Sequence, residues 1–201
     1  MTLLALAPML NDRSSAVSLL QSRRSGRPRD LVEPGPDAAQ LRQILTVAMR
    51  SPDHGKLAPW RFVHVPSDRR DAFQTLLERA YRLDNPAPGR LEMEAIAKFA
   101  HQAPELVVAL FSPKAATKIP LWEQQLSCGS ALMNLLHGAH ALGFAAGWVT
   151  GWAAYSAAVR DGFGSADEAI AGFVFIGTPA IALEERPRPA YEAIVSEWSD
   201  G

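Results

Sequence analysis

The stretch LWEQQLSCGSALMNLLHGAHALGFAAGWV, Leu121–Val149, decides how this chain is read. From Leu121 to Leu142 the apolar side chains fall nearly all round a helix, and a helix of that kind is surrounded by other elements. From Gln124 to Val159 there is no Asp, Glu, Lys or Arg, a length that also suits a membrane span. Two observations favour a core helix instead. Asn134, His137 and His140 sit in the most apolar part, and Gly143, Gly147 and Gly151 interrupt the residues after it. Ala145–Val149 then reads as a strand behind the helix.

Working outward, Glu105–Phe111 is a short, continuous apolar run, as in a strand buried on both faces. Trp60–Val65 is rich in β-branched and aromatic residues and reads as another strand. Apolar spacing predicts helices over Asp37–Met49, with Asp37 as its cap, over Asp68–Leu83 and over Arg90–Gln102. A short helix capped by Ser14 or Ser15 runs through Leu20. Arg27–Pro36 and Ser51–Pro59 are loops. On the other side, Ala153–Arg160 and Ala190–Trp198 read as helices and Ile170–Ile176 as a strand. Helices and strands mix without a regular βαβ alternation, so the class is α+β rather than doubly wound. Residues 1–14 are an extension and 15–201 one domain. Met1–Leu10 has no positive charge before its apolar run and is interrupted by Pro8, unlike a signal peptide.

With 201 residues the chain can bury a sizeable core. A net charge of -1 gives no global field toward nucleic acid or an anionic membrane. A single cysteine, Cys128, excludes an internal disulfide framework and fits a reducing, cytoplasmic setting.

Four segments carry groups that can do chemistry. RRSGRPR holds Arg23, Arg24, Arg27 and Arg29 with the hydroxyl of Ser25. Guanidinium groups bind phosphate through paired, charge-assisted hydrogen bonds, although a solvated charge run or a nucleic-acid patch has the same composition. No aromatic interleaving or second basic stripe favours nucleic acid. Arg186 and Arg188, in ERPRP, are two apart in a proline-restricted segment and project to one side if it is extended. They can meet the same anion, or lie on a surface tail. The loop MRSPDHGKLAPWRF, Met49–Phe62, brings Asp53, His54 and Lys56 to a Trp-led strand, as in the wall of a flat pocket. His54 is a possible proton donor or a plain surface residue. GFAAGWVTGW, Gly143–Trp152, has small residues that let another group approach the backbone and amides able to donate to a ring nitrogen or an oxyanion. There is no P-loop, no Gly-x-Ser-x-Gly, and GFGS at Gly162 lacks the third glycine of a dinucleotide fingerprint. His137 and His140 have no third ligand, so no metal site is expected.

In this order the segments resemble the nitroreductase family, and within it the small YdjA-type branch. The opening Arg-Arg-Ser-x-Arg stands as Arg23–Arg27, and Pro-Trp-x-Phe as Pro59–Phe62. The branch's Arg-x-Pro-Asp-His is Arg50–His54. The run from Lys118 to Trp148 is similar to that branch's central helix and following strand. Ile176–Pro179 and the late ERPRP match the broad family. The likeness covers roughly Ser15 to Trp198. It implies helices wrapped round a central mixed or antiparallel sheet in an intertwined homodimer, with FMN at the interface. It places Arg23, Arg24, Ser25, Arg186 and Arg188 at the FMN phosphate and ribityl chain, and Arg27 near flavin N1 and O2. Arg50 and His54 come from the other subunit, and Trp148, Val149, Thr150 and Gly151 line the ring edge. Asp53, Lys56 and Ala58 stand where many members have Ser, Asn and Gln, which bears on substrate and nicotinamide preference. The branch keeps the late arginine pair less clearly than the broad family.

The implied activity is a two-stage, ping-pong cycle: NADH or NADPH passes hydride to the flavin, and a nitroaromatic or quinone-like acceptor then takes its place. The flavin carries the redox chemistry and no protein nucleophile is required. The alternative is an FMN-holding sensor without turnover.

Overall fold

The structure is a computed structural model that describes residues 9–199; the reading of Met1–Leu10 as an extension falls almost wholly outside them. The long helix and the strand behind it form as expected. We number helices α1–α7 and strands β1–β5. They are α1 (Ala16–Ser22), β1 (Leu31–Val32), α2 (Ala38–Ala48), β2 (Trp60–Val65), α3 (Arg70–Asp84), α4 (Arg90–Ala100), β3 (Glu105–Phe111), α5 (Leu121–Ala141), β4 (Ala145–Val149), α6 (Trp152–Tyr155), α7 (Ala157–Asp161) and β5 (Ala169–Pro179). Ser15 caps α1. Asp37 caps α2 in a reciprocal box with Gln40, which satisfies two first-turn donors.

The class is α+β, and every described strand pairing is antiparallel. β5 is the spine. It pairs with β3 along one edge and β4 along the other, since Val174 is matched to both Val107 and Trp148. β2 pairs with β3, and the two residues of β1 pair with the end of β5. Alternation along the strands divides the core in two. Leu106, Val108, Leu110, Phe173 and Phe175 point to one face, packing with Phe73 and Leu77 of α3 and Ile96 of α4. Val107, Val174 and Ile176 point to the other, where α2 and α5 lie.

Buried Arg70 fixes the first of these faces. Its guanidinium donates to the carbonyls of Val65, Ala100, Gln102 and Pro104 at 3.0–3.2 Å, tying the end of β2 to the α4–β3 turn. A buried cation is tolerated where its donors are satisfied.

Three expectations need correction. The helix over Ala190–Trp198 is absent. Only a single 3-10 turn, Tyr191–Ala193, forms there, and every residue from Glu184 to Ser199 is exposed. An isolated amphipathic helix of this length is not stable without a surface for its apolar face. Ala153–Arg160 is two helices, α6 and α7, with an extended Ser156 between them. The loop over Arg27–Pro36 contains β1, whose two residues give no pattern of their own.

Candidate functional site

The segment after α1 is pressed against β4. A Cβ on Gly147 would lie 2.5 Å from the Gly26 carbonyl oxygen, so only glycine lets the two backbones approach this closely. Gly26 N–H donates to Ala146 O at 3.2 Å. The side chains of Arg23, Arg24, Ser25 and Arg27 are thereby carried to the end of the sheet, where the chain leaving β5 returns.

That returning segment carries Arg186 and Arg188, and the structure brings the two arginine groups together. Burial, then the charges of Arg188 and Arg24, hold the Arg23 guanidinium below its usual range. Arg24 is lowered by burial and by Arg186, Arg188 and Arg27. Arg23 Nη1 also lies 3.3 Å from Ser25 Oγ. Guanidiniums whose charges bear on one another suit an anion between them. The chain supplies two carboxylates, which stand in for one. Glu184 accepts from Arg27 at 3.0 Å, and Glu185 accepts from Arg188 at 3.2 Å and faces Arg24 Nε at 3.9 Å. The Glu184 carbonyl accepts from Arg24 Nε at 2.6 Å. Sequence reasoning passed over these two acidic residues; their position directly before the late arginine pair was the available signal.

Beside the cluster, His137 has a buried Nδ1 with no partner among the described residues. Burial and the charge of Arg23 lower its pKa. A spare polar atom, an arginine ring and an open strand end suit a phosphorylated ligand with a polar chain.

Beyond the cluster, β4 ends at two neighbouring hollows. One, about 330 Å³, is walled by Arg27, Pro28, Phe99 and Val149. The other, also about 330 Å³ and mostly apolar, is walled by Ile96, Phe99, Thr150, Gly151 and Trp152. Phe99 is shared. Gly151 sits at φ 79 with open space where a side chain would project. Trp148 is not part of these walls. Neighbours on a strand face opposite ways, and its indole turns to the α5 side, donating to Ala171 O at 3.0 Å over Gly172. Its side chain and that of Val149 therefore lie on opposite faces of the sheet within one chain.

The loop bearing Arg50 and His54 is docked on α5 instead. Asn134 Nδ2 donates to Arg50 O at 3.2 Å and to Ser51 Oγ at 3.0 Å, and Ser127 Oγ donates to Pro52 O. The polar residues of the apolar helix thus serve the loop. Asp53 caps the loop from within, accepting from Leu57 N at 3.0 Å and Ala58 N at 2.8 Å, while Lys56 and Ala58 hold positive φ. The Asp substitution is therefore structural in the first place. His54 Nδ1 pairs with Glu123 at 2.7 Å. Glu123 and His137 are fourteen positions apart on α5, about 21 Å along a helix axis. Within a single chain the His54 loop tip and the arginine cluster therefore do not share a cleft.

A model of the nitroreductase family matches residues 20–178, most of the chain.

The chain belongs to the nitroreductase family.

Among relatives, YdjA of Escherichia coli, which carries the provisional name NAD(P)H nitroreductase, is 34% identical over 167 residues, covering 83% of this chain and 89% of YdjA. A Haemophilus influenzae protein with the same provisional name is 37% identical over 167 residues, covering 81% and 88%. Two solved structures share the fold. A nitroreductase-like family protein from Bacillus cereus superposes with TM-score 0.76 at 19% identity over 94% of this chain and 97% of its own. The FMN- and NADPH-dependent nitroreductase NfnB from Sphigopyxis sp. strain HMH gives 0.69 at 21%, over 92% and 99%. Arg186 and Arg188 lie beyond the stretch matched by the family model. Among the described residues no group of His, Cys, Asp and Glu could hold a metal ion, and no helix is long and apolar enough to cross a membrane.

Proposed function

We propose that this nitroreductase-family chain is an FMN-dependent oxidoreductase that takes reducing equivalents from NADH or NADPH. It passes them, in two stages sharing one pocket, to flat oxidised acceptors such as nitroaromatics or quinones. The observation carrying this reading is the convergence of Arg23, Arg24 and Arg27 with Arg186 and Arg188, beside hollows that open at Val149–Gly151.

When bound, FMN supplies the redox chemistry, accepting hydride from a nicotinamide and delivering it onward. The chain's residues do the rest. Arg23, Arg24, Ser25, Arg186 and Arg188 hold the phosphate by charge-assisted hydrogen bonds. Arg27 offsets negative charge at the pyrimidine edge, and the amides at Thr150 and Gly151 orient the ring. Phe99 and Ile96 keep water from the apolar hollow.

The pocket is completed by a second copy of the chain. Three features support this. Leu121, Trp122 and Leu126 on α5 are exposed by 52–66%, a face that calls for cover. The tail exposes Tyr191, Ile194 and Trp198 by 70–90%. His54, remote from the arginines of its own chain, and Arg50 of the same loop then supply the facing wall of the partner's site. His54 is placed to hold or release a proton there. The enzyme works in a reducing compartment, the cytoplasm, in keeping with its lone buried Cys128.

The absorbance spectrum of the purified protein tests the reading. A yellow protein releasing FMN, bleached by NADH or NADPH and restored by a quinone, is expected. Retained colour with no bleaching would leave a flavin-holding module and remove the enzyme. Arg23→Ala should raise the Kd for FMN at least about tenfold, the worth of a charged hydrogen bond, with an unchanged melting profile.

A further inference from the structure

The segment that carries the arginines is itself held from behind. Asn11, outside the domain as the sequence defines it, wraps the Arg24 peptide on both sides. Its Oδ1 accepts from Arg24 N–H at 2.7 Å, and its Nδ2 donates to Arg24 O at 3.3 Å. Its own N–H donates to Ser22 O at 3.0 Å, and Asp12 N–H donates to Ser22 Oγ at 2.9 Å. Asn11 makes this grip at φ 55, a left-handed conformation that asparagine tolerates better than most residues. On the other side the fully buried His140 of α5 sets Nε2 3.0 Å from Arg24 O and Nδ1 2.6 Å from Leu136 O. One ring proton serves one of these carbonyls and two protons serve both.

The pattern alternates. The main chains of Ser22, Arg24 and Gly26 are tied to Asn11, His140 and Ala146. In an extended segment the residues between them face the other way, and Arg23 and Ser25 do, with their side chains in contact.

We propose that Asn11, with His140 as its counterpart on α5, is a positioning clamp for the phosphate end of the site: it holds the Arg24 peptide so that Arg23 and Ser25 face the anion. This rests on the flavin reading above and adds a residue to it. Neither clamp side chain need touch the ligand. The clamp governs the phosphate end alone, so its loss reduces the preference for FMN over riboflavin, which lacks the phosphate.

The test uses Asn11→Gly, which removes the side chain while tolerating φ 55, and Asn11→Ala, which removes it and adds backbone strain. FMN and riboflavin affinities are measured by quenching of flavin fluorescence, beside thermal unfolding. The expected result is an FMN Kd raised about tenfold in both variants, from two hydrogen bonds lost, with riboflavin Kd within about twofold of wild type. Asn11→Ala should melt lower than Asn11→Gly yet show the same FMN-to-riboflavin ratio. A ratio unchanged from wild type, or one that follows the melting temperature rather than the missing side chain, overturns the clamp while leaving the flavin site standing. Wild-type protein that binds neither FMN nor inorganic phosphate overturns the site and the clamp together.

Discussion

The central helix α5 and the tail from Ala180 to Ser199 are nearly equal in length and both carry apolar residues at helical spacing, but they have different fates. In α5, Cys128 and Leu132 are buried against the sheet and Leu135 and Leu136 against α2 and the sheet, and the helix runs unbroken for 21 residues. In the tail, Tyr191, Ile194, Val195 and Trp198 have the i, i+3, i+4, i+7 pattern of one helix face, but only one turn forms. The difference lies in what is available to pack against. A pattern specifies a helix only when its apolar face finds a surface, and the tail meets no such surface among the described residues.

The contrast is open to measurement. Leu132→Ala should cost roughly 2–5 kcal/mol in denaturant unfolding, the range for a buried leucine left as a cavity. Trp198→Ala, measured on protein diluted until monomeric, should stay within about 0.5 kcal/mol. Equal costs would mean that the tail is packed as the helix is. A smaller effect concerns charge. Glu185 engages Arg24 and Arg188, so a phosphate must displace it. Glu185→Gln should tighten FMN two- to fivefold, roughly the scale of one exposed ion pair. Weaker binding would give Glu185 a supporting role instead.

The smallest effect is in the response to acid, and it separates the two regions. Burial holds His140 of α5 below its ordinary range. The unfolded chain therefore takes up this proton first. The stability linked to it is complete above about pH 6.5 and declines as pH falls from there through the lower, folded value. Glu185 is held below its ordinary 4.5 chiefly by the Arg186 amide, with Arg188 and Arg24 adding to it. Its contribution is therefore complete above that pH and is lost only in stronger acid. Melting temperature should begin to fall between about pH 7 and 5.5, whereas the effect of Glu185→Gln on stability should fade only below about pH 4.5. Simultaneous changes would couple tail and helix.

The same difference explains what could be read from sequence. β2, β3 and β4 were legible to the residue because each is a short apolar or β-branched run bounded by turns. Helices α1–α5 were legible to within a few residues at their ends, whereas α6 and α7 were read as one and the tail helix does not form. β1 was not, because two residues pair only where β5 happens to pass. The arginines of RRSGRPR and ERPRP were visible as a phosphate-binding chemistry, but their meeting depends on the path of β5 and came from family resemblance. Grouping Trp148 with Val149 overlooked that strand alternation sets their side chains on opposite faces of the sheet. Asn11 was invisible, because its importance lies in a backbone thirteen residues away and no local pattern encodes that.

Arg70 leaves one more consequence. Its four partners are carbonyl oxygens, groups with no proton to gain or lose across the whole working range. Acid that neutralises carboxylates takes from this joint only the attraction of the Glu105 charge and none of the four hydrogen bonds, and added salt has no direct ion pair to compete for. The junction of β2, α3 and the α4–β3 turn should therefore keep its shape under conditions that release the arginine cluster, leaving the Phe99 wall standing as a fixed backstop while the phosphate end rearranges.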